Sequence, residues 1–201
     1  MVTEQIEARG IHTPAVLVAM RTVPRHLFVA PALAWQAYSD HPLPIGAGQT
    51  ISQPAVVALM TDLLDVQRPD HVLEIGTGSG YQAAVLSLLA AKVYTIEIIP
   101  SLGQEAAKRL QTLGYANVEV RIGNGYAGWR ERAPFDKIVL TAAPPEVPQA
   151  LIDQLKAGGK LVAPVGPSIG TQELIVLDKS RSGRISQRRV IPVAFVPMVK
   201  E

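Results

Sequence analysis

The sequence has no cysteine among its 201 residues and only four histidines. The lack of cysteine excludes disulfide bonds, a thiolate nucleophile, and zinc or iron–sulfur sites with thiolate ligands. The histidines do not share the short spacing of a metal site, so we expect no bound metal. Aromatic residues make up 5% and charged residues 18% of the chain, whereas 48% is hydrophobic. This composition excludes a disordered chain and predicts a well-filled interior.

An excess of charge of either sign is also missing. The 19 Lys and Arg residues nearly balance the 17 Asp and Glu residues, which gives a formal net charge of +2. A dedicated nucleic-acid binder has a stronger positive balance, so we expect no nucleic-acid partner. The longest apolar run, near residues 83–91, is far shorter than the ~20 residues that span a bilayer, and the N-terminus lacks the pattern of a secretory signal. We therefore expect no membrane partner and a cytoplasmic location.

The length predicts one domain over residues 1–201, with an N-terminal cap region at 1–50 and a cofactor-binding core at 51–201. Prolines interrupt the first fifty residues and allow only short helices there. From residue 71 onward, short apolar runs alternate with helical stretches. The predicted strands are 72–75, 93–96, 118–121, 137–140, 159–163, 173–177 and 185–195. The predicted helices are 54–64, 81–90, 101–113 with Ser101 as its cap, and 148–155.

The order of these elements predicts the architecture of the core. Repeated strand–helix–strand units indicate a parallel sheet with helices on both faces. The last two strands lack a helix-length connection and are predicted to form an antiparallel hairpin. The sequence therefore indicates an α/β fold.

A glycine-rich loop, Glu74-Ile75-Gly76-Thr77-Gly78-Ser79-Gly80, joins the strand 72–75 to the helix 81–90. It lies at the carboxyl edge of the parallel sheet, where open α/β folds bind ligands. In the dinucleotide fingerprint Gly-x-Gly-x-x-Gly, the third glycine comes one residue later than here. Exposed amides beside Glu74 suit the mixed charges of S-adenosylmethionine better than a pyrophosphate. The loop therefore favours S-adenosylmethionine, with a nicotinamide cofactor as the alternative.

Two further features follow the next two strands. Glu97 ends the strand 93–96, where a carboxylate can accept hydrogen bonds from both ribose hydroxyls in either cofactor class. Asn124 stands between two glycines, where its amide can bond an adenine amino group. An ordinary Asn-Gly turn explains that triplet equally well. Taken in order, the three elements favour methyl transfer over hydride transfer.

The segment Pro42-Leu43-Pro44-Ile45-Gly46-Ala47-Gly48-Gln49-Thr50-Ile51-Ser52-Gln53-Pro54 resembles the signature of the protein-L-isoaspartate O-methyltransferase family. The resemblance extends to residues 23–28, 74–80, 142–151, 158–166 and 195–197. It implies a Rossmann-like class I methyltransferase fold, with a mostly parallel seven-stranded sheet, a C-terminal antiparallel hairpin and an N-terminal helical cap. It also implies methylation of the free α-carboxylate of L-isoaspartyl residues in damaged peptides and proteins, which initiates their repair. The implied cofactor is S-adenosyl-L-methionine, and S-adenosyl-L-homocysteine is its product.

The resemblance also implies roles for individual residues. Ser52 matches the active-site serine, and Thr50 and Ile51 match its neighbours in the substrate site. Val196 and Pro197 complete the predicted substrate site, as part of an extended edge that can pair with a peptide, although a closing β-strand without a partner is the alternative. The predicted cofactor-binding residues are Glu74, Gly76, Thr77, Gly78, Ser79, Glu97, Asn124 and Gly125. The family's usual Gly-Asp-Gly is Gly123-Asn124-Gly125 here, which predicts weaker cofactor binding.

The predicted chemistry needs positioning and no general base. A terminal-type carboxyl has a pKa of about 3.5, so the substrate carboxylate is already ionised at neutral pH. Ser52, near a helix start, can donate a hydrogen bond that aligns it, although a plain helix-capping serine is the alternative. Other functions stay open from the residues alone: a methyltransferase acting on RNA or a small molecule, a nicotinamide-dependent reductase, or a binding module without turnover.

Overall fold

The computed structural model describes residues 1–200. The N-terminal region is built from short helices, of which α1 spans Pro14–Thr22. This helix begins with a proline, whose missing N–H costs nothing at the first helical position. The other segments are one π-helical and three 3-10 turns, at Val2–Ile6, Glu7–Arg9, Arg25–Phe28 and Pro31–Gln36. The predicted helical cap is therefore confirmed.

A small antiparallel hairpin, which the sequence did not predict, follows the cap. Strand β1 spans Leu43–Gly46 and strand β2 spans Gln49–Ile51. The turn between them has left-handed φ angles, including 50° at Ala47. Pro44 argued against a strand in the sequence, but proline is tolerated in a two-stranded edge of this kind. The hairpin brings the chain back so that Ser52 follows β2 directly.

The remaining elements alternate between strands and helices. The helices are α2 (Pro54–Leu64), α3 (Tyr81–Ser87), α4 (Pro100–Thr112) and α5 (Gln149–Gln154). The strands are β3 (His71–Ile75), β4 (Lys92–Glu97), β5 (Val118–Ile122), β6 (Phe135–Leu140), β7 (Leu155–Val165), β8 (Gln172–Lys179) and β9 (Ile185–Val193).

The seven strands from β3 to β9 form one sheet with the order β5-β4-β3-β6-β7-β8-β9. Neighbours from β5 to β7 are parallel, and β7, β8 and β9 are joined in antiparallel fashion. This confirms the predicted mostly parallel sheet with a C-terminal antiparallel hairpin. The chain builds outward from β3 to β5 and then returns to place β6 on the other side of β3. The loops after β3 and β6 therefore diverge and open a crevice at the carboxyl edge.

The central strands of the sheet are buried on both faces, which separates the core into two clusters. Successive residues of β3 show the division, because Val72 packs into the cluster that contains α1, α2 and α3, whereas Leu73 packs into the other. Side chains alternate between the faces of a strand, so a strand covered on both sides is apolar throughout. This explains why the central strands appear in the sequence as short continuous apolar runs.

Several predicted boundaries were wrong in detail, including the start of β7, predicted at residue 159, and the end of β9, predicted at residue 195. Helix α4 begins at Pro100 with Ile99 as its cap, because the fixed φ of proline suits the first helical position, so Ser101 lies inside the helix. Helix α3 ends at Ser87 because the chain then tightens into turns with three-residue spacing. Leu155, predicted to end α5, instead begins β7 beside Phe135.

Candidate active site

The glycine loop between β3 and α3 adopts a backbone that favours glycine. Gly76, Gly78 and Gly80 have φ angles of 99°, 52° and 87°, in the left-handed region that other residues rarely enter. A Cβ atom on Gly76 would lie 2.5 Å from Thr141 Oγ1 of the segment after β6. The loop therefore packs closely against the end of the neighbouring strand and leaves its other side open.

Glu97, the last residue of β4, holds this loop in place. Its Oε2 accepts a hydrogen bond from the Gly78 amide at 2.7 Å, and its Oε1 accepts one from the Ile99 amide at 3.0 Å. The side chain is buried but lies on the wall of a cavity. Each carboxylate oxygen can accept a second hydrogen bond. Glu97 can thus organise the loop and still bind hydroxyl groups of a ligand.

Glu74 lies at the base of the same cavity and is completely buried. Thr95 Oγ1 donates to its Oε2 at 2.6 Å, while its Oε1 has no hydrogen-bond partner within residues 1–200. Burial raises the pKa of Glu74 to about 8; the hydrogen bond from Thr95 opposes this rise and the nearby charge of Glu97 adds to it. The carboxyl is therefore mostly protonated at neutral pH until a positive group approaches it.

The cavity encloses about 950 Å³ of empty space, part of it open to solvent. Its wall is formed by the β1–β2 hairpin, the starts of α2 and α3, the glycine loop, the ends of β4 and β6, and the C-terminal segment. It brings together every predicted site residue except Asn124. Those residues are Thr50, Ile51, Ser52, Glu74, Gly76, Thr77, Gly78, Ser79, Glu97, Gly125, Val196 and Pro197.

The charge of this wall distinguishes between candidate ligands. Among residues 1–200, Glu74 and Glu97 are the only ionisable acids on it, and no lysine, arginine or histidine lines it. A pyrophosphate would face these two carboxyl groups without a cation to neutralise it, which is unfavourable in a buried site. A ligand with a positive charge suits the wall, because it favours ionisation of the acids around it. The residues present therefore fit S-adenosylmethionine, whose ammonium and sulfonium outweigh its one carboxylate.

Ser52 lies between β2 and α2 and is half-buried at the cavity. Helix α2 begins at Pro54, and its capping residue is Gln53. The alternative role of Ser52 as a helix-capping serine is therefore wrong. Its hydroxyl makes no hydrogen bond to any residue in the described part of the chain. The hydroxyl is therefore available to a ligand.

The C-terminal segment after β9 closes one side of the cavity. The Ala143 amide donates to the Val196 carbonyl at 2.8 Å, and the Met198 amide donates to the Ala143 carbonyl at 2.8 Å. Pro197 therefore sits in a short parallel bridge with Ala143. One edge of this segment is therefore paired with Ala143, and on the other edge the N–H and C=O of Phe195 are bonded to the Gln172 side chain.

Asn124 is placed differently from its prediction. Its Oδ1 accepts from the Tyr126 amide at 2.9 Å, and its Nδ2 donates to the Lys200 carbonyl at 2.9 Å. The side chain thus caps the 3-10 turn Gly125–Ala127 and does not line the cavity, whereas Gly125 does. Contact of Asn124 with an adenine remains a prediction. The turn interpretation accounts for the hydrogen bonds that are present.

Several cavity residues were not predicted. Gln82 and Tyr81 begin α3, and Thr141 and Met198 line the wall from β6 and from the C-terminal segment. Only Gln82 gave a signal in the sequence, because it is a polar residue at the start of an otherwise apolar stretch. In the structure every residue of α3 is buried, so a polar group there must find a partner.

Residues 1–200 lack two further features. In that part of the chain no group of three or more His, Asp or Glu side chains is arranged to hold a metal ion. No helix there combines the length and the apolar composition needed to cross a membrane.

The fold and this site define a class I methyltransferase, with the cofactor loop at the switch point of a mostly parallel sheet. The family model for protein-L-isoaspartate(D-aspartate) O-methyltransferase matches residues 1–201. The chain belongs to this family. This confirms the family resemblance that the segment 42–54 indicated.

Individual relatives agree with this assignment. The chain is 56% identical to protein-L-isoaspartate O-methyltransferase 1 of Nitrosospira multiformis over 98% of its length and 85% of that protein. It is 52% identical to the enzyme of Gloeobacter violaceus over 100% of its length and 98% of that protein.

Solved structures show the same similarity. A putative protein-L-isoaspartate O-methyltransferase from Plasmodium falciparum, in complex with S-adenosyl-L-homocysteine, matches with a TM-score of 0.85 and 26% identity, over 100% of this chain and 97% of that one. Another structure named protein-L-isoaspartate O-methyltransferase matches with a TM-score of 0.86 and 27% identity, over 95% of this chain and 62% of that one.

Proposed function

We propose that this chain, as one methyltransferase domain, methylates the free α-carboxylate of L-isoaspartyl residues in damaged peptides and proteins. The observation that carries the proposal is the cavity itself. It joins a glycine loop and two buried acids, suited to a cationic cofactor, to the half-buried hydroxyl of Ser52. The membership of the family supports the same reaction.

The cofactor in this proposal is S-adenosyl-L-methionine, which supplies an activated methyl group when bound. Glu97 holds the loop through Gly78 and has acceptor capacity left for ribose hydroxyls. The backbone of residues 76–79 and Gly125 lines the cavity, and the missing Cβ atoms of Gly76 and Gly125 let it pack closely against Thr141 and Ile75. Glu74 supplies a buried carboxyl that a positive group can ionise.

Ser52 is the proposed catalytic residue. Its free hydroxyl donates a hydrogen bond to one oxygen of the substrate carboxylate and holds the other oxygen towards the methyl donor. The carboxylate is already ionised at neutral pH, so no side chain has to remove a proton. Alignment and exclusion of water are the main contributions of the protein, and effects of this kind reach ~7–11 kcal/mol.

The substrate site in this proposal is formed by Thr50, Ile51, Val196 and Pro197, around Ser52. Damaged sites arise in many sequences, so recognition must use the peptide backbone more than its side chains. On the edge that faces away from Ala143, Pro197 has no N–H and the backbone of Phe195 is bonded to Gln172, so a peptide would bond there mainly to the Pro197 carbonyl. Isoaspartyl peptides and proteins are thus the proposed partners, and the predicted lack of nucleic-acid and membrane partners stays a prediction.

A labelled-methyl assay on paired peptides tests the function directly. Two peptides of the same sequence, one with an aspartyl and one with an L-isoaspartyl residue, are incubated with labelled S-adenosylmethionine. We expect base-labile label in the isoaspartyl peptide alone. Equal labelling of both peptides, or labelling of RNA but of neither peptide, would refute the proposal. Binding of NADH with no binding of S-adenosylmethionine would favour the reductase instead. The predicted cytoplasmic location is tested separately, by cell fractionation.

A further inference from the structure

Gln82 is a buried polar residue on the cavity wall to which the roles above assign nothing. It is 6% exposed and lies in α3, immediately after Tyr81. Its Nε2 donates to Thr61 Oγ1 at 2.9 Å, but its buried Oε1 has no hydrogen-bond partner within residues 1–200. A buried acceptor without a donor destabilises a fold, so such an oxygen points to a ligand that supplies the donor.

The orientation of the Gln82 amide is fixed by helix α2. Thr61 Oγ1 donates to the Val57 carbonyl at 2.7 Å. A carbonyl can only accept, so the single hydroxyl proton of Thr61 is committed to Val57. Thr61 must then accept from Gln82, which turns the NH₂ group of Gln82 towards Thr61. The carbonyl oxygen of Gln82 is therefore the group left for another donor.

A second buried oxygen on the cavity wall also lacks a hydrogen-bond partner. Of the buried side-chain atoms without a partner in residues 1–200, only Glu74 Oε1 and Gln82 Oε1 belong to residues that line the cavity. Gln82 Oε1 can only accept, and Glu74 Oε1 becomes an acceptor when a positive group ionises its carboxyl, so the missing group is a donor with a positive charge.

The charge of the wall narrows the choice of donor. A peptide N–H brings one neutral donor, whereas an ammonium brings three N–H donors, no acceptor and a positive charge. Only the ammonium matches two vacant acceptors on a wall that has two carboxyl groups and, among residues 1–200, no basic side chain.

We propose that Gln82 Oε1 accepts a hydrogen bond from the ammonium of the cofactor's amino-acid moiety, with Glu74 Oε1 as the second acceptor. This inference rests on the proposed cofactor. Gln82 is in the helix that continues directly from the glycine loop, whereas the proposed substrate residues lie on the β1–β2 hairpin and the C-terminal segment. Thr61 and Val57 couple this acceptor to α2, the helix that follows Ser52.

Calorimetric titration of Gln82→Leu with three ligands tests the proposal. The ligands are S-adenosyl-L-homocysteine, the same molecule without its amino group, and 5′-methylthioadenosine, which lacks the amino-acid moiety. We expect the variant to bind S-adenosyl-L-homocysteine about 10-fold more weakly than the wild type, as for a lost hydrogen bond to a charged group. We expect the affinities of the other two ligands to change by less than about 2-fold. An equal loss for all three ligands, or no loss for any, would overturn the proposal.

One control and one alternative variant separate the loss of this hydrogen bond from a general loss of folding. Gln111→Leu removes an exposed glutamine of α4 and should leave all three affinities unchanged. Gln82→Met keeps the length of the side chain, so it replaces Gln82→Leu if thermal unfolding shows that the leucine variant does not fold. The same ligand pattern is expected for the methionine variant.

Steady-state kinetics with the isoaspartyl peptide then shows whether Gln82 contacts the cofactor or the substrate. A raised KM for the isoaspartyl peptide in Gln82→Leu, with cofactor affinity unchanged, would place the donor on the substrate and overturn the proposal. If the wild type itself fails to bind S-adenosyl-L-homocysteine, the proposed function fails as well. If the wild type binds it and methylates the isoaspartyl peptide, but Gln82→Leu shows no selective loss, only this inference fails.

Discussion

Glu97 Oε2 accepts a hydrogen bond from the backbone amide of Gly78 at 2.7 Å, so the acid at the end of β4 and the glycine loop after β3 form one rigid unit. The second oxygen of Glu97 accepts from Ile99 at 3.0 Å and ties the same carboxylate to the approach of α4. Loop conformation and the position of the acid are therefore interdependent. A change in the carboxylate affects both.

Glu97→Gln is expected to weaken cofactor binding by about 10-fold or more. A glutamine can accept from only one of the two backbone amides, and its NH₂ group then faces the other amide as a second donor. Calorimetric titration with S-adenosyl-L-homocysteine measures the effect. Glu105→Gln, on the exposed face of α4, is the matched control and should bind as the wild type does. Unchanged affinity in Glu97→Gln would remove Glu97 from the cofactor site.

Ser52→Ala is expected to lower kcat by about 10-fold or more and to leave cofactor affinity within about 2-fold of the wild type. The hydroxyl makes no hydrogen bond within residues 1–200 and is assigned to the substrate carboxylate. Steady-state kinetics with an isoaspartyl peptide, together with titration of S-adenosyl-L-homocysteine, checks both parts. Ser101→Ala, at an exposed position, serves as the control. A parallel loss of cofactor affinity would move Ser52 to the cofactor site.

Gly125→Ala is expected to destabilise the fold by about 1–3 kcal/mol, as for an overpacked core position. An added Cβ would lie 2.4 Å from Ile75 Cγ2 and 3.2 Å from Met198 Cε. Gly123→Ala, two residues earlier, is the matched control, because its Cβ would meet nothing closer than Arg121 Nε at 3.8 Å. Urea unfolding of the two variants compares their free energies. Equal stability of the two would contradict the packing described at Gly125.

Glu74 is expected to make the stability of the ligand-free protein depend on pH. Its pKa rises from 4.5 in the unfolded chain to about 8 in the fold, so the folded state binds more protons between these values. Stability is therefore greatest below about pH 4.5 as far as this group is concerned, and it is lost as the pH rises towards 8. The slope approaches about 1.4 kcal/mol per pH unit within that window.

The variant Glu74→Gln should lack this slope, because an amide does not titrate. Its free energy of unfolding, relative to that of the wild type, should therefore increase between pH 5 and pH 8 in urea titrations. Asp153→Asn, at an exposed position of α5, is the control for general effects of charge removal. Parallel pH profiles for the wild type and Glu74→Gln would show that Glu74 is not buried as the structure has it.

The sequence predicted those parts of the molecule whose signal is local. The apolar runs of the central strands β3, β4 and β6 and the glycine loop are recognisable because burial in the sheet and left-handed φ angles each demand particular residues. The β1–β2 hairpin was not predicted, because Pro44 disfavours a strand. Its two strands are stabilised by pairing with each other, which is seen only in the folded chain.

The candidate site shows the same division. Glu97 was predicted near the cofactor from its place at a strand end, but its bond to Gly78 depends on how two loops meet. Met198 lines the cavity although it is distant in sequence from the glycine loop. No local sequence pattern predicts a long-range contact of this kind. The side chain of Asn124 bonds backbone groups of Tyr126 and Lys200 and does not face the cavity. A residue pattern does not show which of several possible hydrogen-bond partners a side chain will take.

The lack of basic residues on the cavity wall around Ser52 bears on how the enzyme releases its methylated product. In the part of the wall formed by residues 1–200, no basic side chain attracts an anion, so the substrate carboxylate is bound by neutral donors. The strength of such hydrogen bonds depends on the negative charge of the carboxylate. Ester formation removes that charge. The product is then held less firmly than the substrate it replaces, and we expect it to leave readily and to inhibit weakly.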